Sequence, residues 1–118
     1  MALFNAQEEI DGVSNPINVL KTLYTSPAST YSLITKIVAL NRNATTAAKI
    51  RVAVIRSGES ISDKCYYQYD ANLYGLDAPE GGTPLEGGAG MTLAPGDFIQ
   101  VLSDTEDVNF QVYGNQVQ

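Results

Sequence analysis

Carboxylates are the side chains of this sequence numerous enough to do chemistry. Glu80, Glu86, Asp97, Asp104, Glu106 and Asp107 gather in the second half of the chain, and two carboxyl groups flanking a glycosidic bond are the minimum for glycoside hydrolysis. Nothing in their spacing separates such a pair from a solvated acidic rim, and the rim is the simpler account. Ser103-Asp104-Thr105-Glu106-Asp107 offers oxygen ligands for calcium but lacks the glycine and ligand spacing of an EF-hand loop. A charged hairpin turn explains it better, and no metal site is expected. The chain has no histidine, which excludes Ser-His-Asp and Cys-His catalysis and any zinc site built on imidazole. Its single cysteine, Cys65, can form neither an internal disulfide nor a thiolate cluster. Among tyrosines in an apparent strand, Cys65 reads as a packed thiol. No catalytic residue and no cofactor are expected; the chain reads as a non-enzyme.

Three further motifs resolve in the same direction. Residues 81–90, GGTPLEGGAG, hold five of the ten glycines, yet a phosphate loop needs a lysine and a helix after it. Here Glu86 interrupts the stretch and Pro95 stops any helix, so the glycines read as corners around an edge segment, Thr83 to Glu86. Asn43-Ala44-Thr45 matches a glycosylation sequon, but the N-terminal residues show no basic region followed by an apolar block, so no cleavable signal is expected and the match reads as chance. Tyr66, Tyr67, Tyr69 and Tyr74 could form an aromatic contact surface for sugars, although tyrosines in a strand more often serve a core or a subunit interface.

The elements that must position these residues are strands. In IRVAVI (50–55), Ile50, Val52 and Val54 fall on one face and Arg51 and Ala53 on the other; in VNFQVY (108–113), Val108, Phe110 and Val112 oppose Asn109, Gln111 and Tyr113. Both show the two-residue period of a half-buried strand. CYYQY (65–69) is assigned to a strand as well. YSLITKIVALN (31–41) is ambiguous, because Leu33, Ile34, Ile37, Val38 and Asn41 also share one helical face. Its β-branched content tips it to a strand covered on both faces. The Asn/Thr/Ala turn that follows, Arg42 to Ala48, is expected to return the chain antiparallel into the 50s strand. Turn signals recur at Ser57-Gly58, Ala78-Pro79 and Pro95-Gly96. Seven or eight short strands so spaced suggest an all-β, antiparallel β-sandwich, jelly-roll or Ig-like.

One domain fits in 118 residues, with three parts expected: an extended N-terminal arm over 1–18, the β-sandwich over 19–114 and a short tail over 115–118. In the arm Leu3, Phe4, Ile10, Val13 and Ile17 are scattered without an amphipathic period, which favours contact with another subunit. Val117 in the tail is a weaker contact candidate. Thirteen acidic against seven basic residues give a net charge of −6, which repels nucleic acid and anionic membrane surfaces. No apolar run approaches the length of a membrane-spanning helix.

The order of these segments carries a resemblance. LYTSPASTYSLITKIVALNRNATTAAKIRVAVIRSG, a middle strand, then TPLEGGAGMTLAPGDFIQVLSDTEDVNFQVYG resembles small virion structural proteins of tailed bacteriophages over roughly residues 20 to 114. The pattern is a short strand ending in a Pro-Ala turn, a long Ile/Val strand closing on Asn, an Ala/Thr turn and an alternating strand, with a Gly-Asp turn near the end. The resemblance implies a protein that works through contacts, self-associating as a trimer or dimer. It implies a place in the virion, on the outer surface of the capsid as a decoration or cement protein bound to the major capsid protein, after synthesis in the host bacterial cytoplasm. A tail, neck, baseplate or fibre component bound to tail proteins is the alternative. Net negative charge suits an outer surface, away from packaged DNA.

Overall fold

The computed structural model describes residues 2–79, 81 and 84–118. Glu80 of the acidic set and Thr83 of the edge segment lie outside the described residues. Among the described residues nine strands follow in order: β1 (Ala2–Ile10), β2 (Lys21–Thr25), β3 (Tyr31–Asn41), β4 (Ala48–Ile55), β5 (Tyr66–Leu73), β6 (Leu85–Gly87), β7 (Thr92–Leu93), β8 (Phe98–Ser103) and β9 (Val108–Val117). A 3-10 turn, Asp63–Cys65, precedes β5. Among the described residues no helix is long and apolar enough to cross a membrane.

The strands pair in two antiparallel sheets, β1-β9-β3-β6 with β7 also on β3, and β2-β8-β4-β5. The pairing is nested: β1 with β9, β2 with β8, β3 with β6 and β7, β4 with β5. That is a jelly roll in which the strand beside β3 is split in two. An Ig-like order would seat the first two strands side by side, whereas β1 and β2 lie in different sheets. Alternating side chains of both sheets fill the space between them: Ile34, Ile37, Phe110 and Val112 from one, Leu23, Ile50, Val52, Ile99 and Val101 from the other, all buried. The expected core face of β9 is the observed one; in β4 Ile50 and Val52 are buried as expected and Val54 half-buried, while Ala53, expected on the outward face, is buried there with Ile55 in a separate small cluster.

Three expectations need correction. The arm is not free: residues 2–10 form the edge strand β1, in register with β9 from Ala2 opposite Gln116 to Ile10 opposite Val108. Ile10 is completely buried, which contributes about 1.5–3 kcal/mol relative to exposure, and the Phe4 ring stacks on Tyr24 of the facing sheet at 4.3 Å. Phe4, Ala6 and Ile10 do share a two-residue period; exposed Leu3 and the carboxylate at Glu8 disguise it.

The 42–47 turn does not make a hairpin either, because β3 and β4 belong to opposite sheets. Buried Asn41 turns this corner, donating from Nδ2 to the carbonyls of Thr46 and Leu73 and accepting the Asn43 N–H.

Finally, β3 is covered on one face only, with Tyr31 and Leu33 exposed on the other. A register shift between Ile34 and Lys36 inserts Thr35 as a bulge. Ile34 and Ile37, three residues apart, can then both point inward, and this spacing is what imitates a helix.

Candidate functional site

The most chemically differentiated surface lies on the outer face of β2-β8-β4-β5, and two irregularities in β5 build it. Ile50 pairs with Ala71 and Val52 with Gln68, so Tyr69 and Asp70 together oppose the single residue Arg51. In a regular strand they would point to opposite faces; the bulge, with Asp70 at φ 52°, brings both to Arg51. A second shift at Tyr67 sets Tyr66 opposite Ala53, on the outward face.

The result is a compact polar and aromatic platform. Arg51 Nε donates to Asp70 Oδ1 at 2.8 Å, and the guanidinium lies 3.9 Å from the Tyr69 ring centroid and 5.9 Å from that of Tyr66. The two tyrosine rings meet edge to face at 5.0 Å. The hydrogen bond from Arg51 holds the Asp70 carboxyl below its ordinary value. Asp63 borders the hollow beside Tyr66 and Tyr69, and Tyr69 remains 57% exposed. An aromatic face ringed by carboxylates and a guanidinium can stack on a sugar ring and exchange hydrogen bonds with its hydroxyls.

Of the four tyrosines read from the sequence as an aromatic contact surface, the fold therefore unites Tyr66 and Tyr69 alone. Tyr67 projects to the other side, its ring against Gly87 of the opposing sheet, and burial pushes its hydroxyl up to about 12. Tyr74 stands past the end of β5, in the loop toward β6. Sequence reasoning passed over Arg51 and Asp70 as site residues. The alternation of IRVAVI already turned Arg51 outward, but the bulge that delivers Asp70 leaves no mark in composition.

The second surface is the outer face of β1-β9-β3, extended by β6. Cross-strand rows read Leu3-Asn115-Leu33, then Gln7-Gln111-Val38-Glu86, then Glu9-Asn109-Leu40, with Val117 beside Tyr31. Its charges are matched: Arg42 pairs with Glu9 at 2.9 Å, and Lys36 with Glu86 at 3.6 Å. Lys36 also lies 5.3 Å from the Tyr113 ring centroid. Of the expected contact residues, Leu3 is 86% exposed and Val117 half-buried on this face, while Phe4 and Ile10 serve the core. Val13 and Ile17 lie in the β1–β2 loop, Val13 86% exposed. Asp11 closes that loop by accepting the N–H groups of Asn15 and Val13 and the Ser14 hydroxyl, which lower its pKa to about 2.

Three of the other candidate carboxylates, Asp97, Asp104 and Asp107, hold structure, each in its own place. Asp97 accepts from the amides of Ser57 and Ala94 and from Arg56. Asp104 accepts the Lys49 N–H, Asp107 pairs with Arg42, and Glu106 lies against Gly12. Among the described residues no three metal-ligating side chains cluster. Cys65 is buried with Ala53 and Ile55 in a small outer cluster. Comparison of the chain with protein-family models, with curated proteins and with solved structures returns no match.

Proposed function

We propose that this protein is a non-enzymatic structural component of a bacteriophage virion, a capsid decoration or cement protein that binds the major capsid protein on the outer surface of the head. The observation that supports this best is the outer face of β1-β9-β3. In a chain of net charge −6, Glu9 and Glu86 on this face are neutralised by Arg42 and Lys36, and rows of Asn and Gln run between them toward Leu3, Leu33 and Tyr31. The centre of a protein interface is likewise poor in unpaired charge and rich in aromatic side chains. The segment order resembles that of small phage virion proteins, and jelly rolls build many capsids; both are analogies of fold rather than of site.

Co-sedimentation with assembled phage heads tests the reading. The wild type should pellet with the heads, and Leu33→Asp combined with Gln111→Glu, two changes on the outward face, should remain in the supernatant. Unaltered pelleting of the double variant would remove this face from the interface. Stacked rings of the protein alone under negative stain would instead favour a tail or neck component.

The Arg51 platform favours a second reading, a carbohydrate-binding module of a fibre or baseplate. It requires glycan retention by the wild type that Tyr69→Ala abolishes. A glycan array that retains no wild-type protein, or retains both forms alike, contradicts it.

A further inference from the structure

Among the described residues the two sheets present four edges, and three of them are closed to further strands. β2 is five residues long, shifts register between Thr22 and Tyr24 and carries Lys21. β5 is interrupted by two register shifts and by the left-handed backbone of Asp70. β6 and β7 are three and two residues long, separated by the Gly88 and Gly90 corner. Short, bulged or charged edges are the devices that keep sheets from adding neighbours. β1 differs from all of these: its nine residues run in unbroken register with β9 and include no Gly, Pro, Lys or Arg.

The backbone groups on its open side can be identified. The Ile10 carbonyl turns toward β9, accepting the Asp107 N–H at 2.9 Å, whereas the Glu9 carbonyl turns the other way and accepts Asn15 Nδ2 at 2.8 Å. Residues alternate in this respect along a strand, so Leu3, Asn5 and Gln7 direct their N–H and C=O groups to the open edge. The segment Ala2 to Gln7 is uncharged, and Glu8 and Glu9 stand only at its end.

We propose that the open edge of β1 is the seat of a second copy of this chain, paired antiparallel about a twofold axis beside Asn5, which joins two β1-β9-β3 sheets into one. The charge pattern selects this occupant. Antiparallel pairing sets Leu3 opposite Gln7 of the second copy and Asn5 opposite its own counterpart, with both Glu8-Glu9 pairs beyond the paired segment. Parallel addition would set like carboxylates side by side. A segment complementary to itself in this way meets the requirement of an isologous interface. The pairing follows from the sheet edge and is independent of where the protein docks.

Sedimentation equilibrium of the full chain reads it directly, with a concentration-dependent monomer–dimer equilibrium expected for the wild type. Gln7→Pro removes an edge N–H and no bond to β9. It should weaken the dimer by about tenfold or more while circular dichroism keeps the β-sheet spectrum. Asn5→Glu and Asn5→Lys should each sediment as monomers, because like charges meet at the axis. An equimolar mixture of the two should recover the dimer, which a folding defect could not do. A wild type that stays monomeric at every concentration, a dimer untouched by Gln7→Pro, or a mixture that remains monomeric would each overturn the pairing.

Discussion

Asp97 is 3% exposed, and its one carboxylate ties its own turn, through Ala94, to the segment of Arg56 and Ser57. Burial by itself would push its pKa up, but the amides of Ser57 and Ala94 and the Arg56 guanidinium outweigh that cost and hold the group below its ordinary value. A carboxyl depressed in the folded state contributes stability that is present above its unfolded pKa, about 3.9, and is lost as pH falls through the folded value. Asp97→Asn, which sets an amide N–H2 against existing donors, should therefore cost about 2 kcal/mol at pH 7. In urea titrations the gap from wild type should narrow below about pH 4; a pH-independent gap would contradict the assignment. Gly114 makes the opposite kind of demand. A Cβ there would collide with the Leu33 carbonyl oxygen and lie 2.7 Å from the Phe4 ring, so Gly114→Ala should lower stability by about 1–3 kcal/mol in the same titration.

Among the elements, regular strands were legible in the sequence and irregular ones were not. Val108, Phe110 and Val112, or Ile50 and Val52, alternate without interruption, and the core faces followed from that period. Where a bulge intervenes, the period breaks: Thr35 makes β3 resemble a helix, and the irregularities of β5 hide which tyrosines share a face. The jelly-roll order is harder still to read, because it joins β1 to β9 and β2 to β8 across nearly the whole chain. No local propensity records such pairings. The candidate site was legible in part, through the outward turn of Arg51 and the presence of Tyr66 and Tyr69; the placement of Asp70 needed the fold. The bulge in β3 makes its own prediction. Deleting Thr35 would leave Ile34 and Ile37 two residues apart in a regular strand, with Ile37, Ala39 and Asn41 still facing the core, and should preserve cooperative thermal unfolding; exposed Thr35→Ala should stay within about 0.5 kcal/mol of wild type. Loss of cooperative melting in the deletion variant would show that Thr35 is not the residue the bulge leaves unpaired.

At the scale of the whole molecule, edge and face act together. Two copies joined through β1 would present their β1-β9-β3 faces as one continuous surface, doubling the charge-matched area available to a shell. The second sheet would keep the Arg51 platform on the opposite side, free for a separate ligand. An N-terminal deletion cannot test docking cleanly, since it removes β1 and the buried Ile10 with it; substitutions on the exposed face can. The proposed function places the protein on the head of a virion. Gold labelling of an epitope-tagged chain, on phage particles purified from a lysate of the cells that carry its gene, reads this out. Particles distributed over the head surface are the predicted result, and label confined to the tail, or absent from the virions, would contradict it.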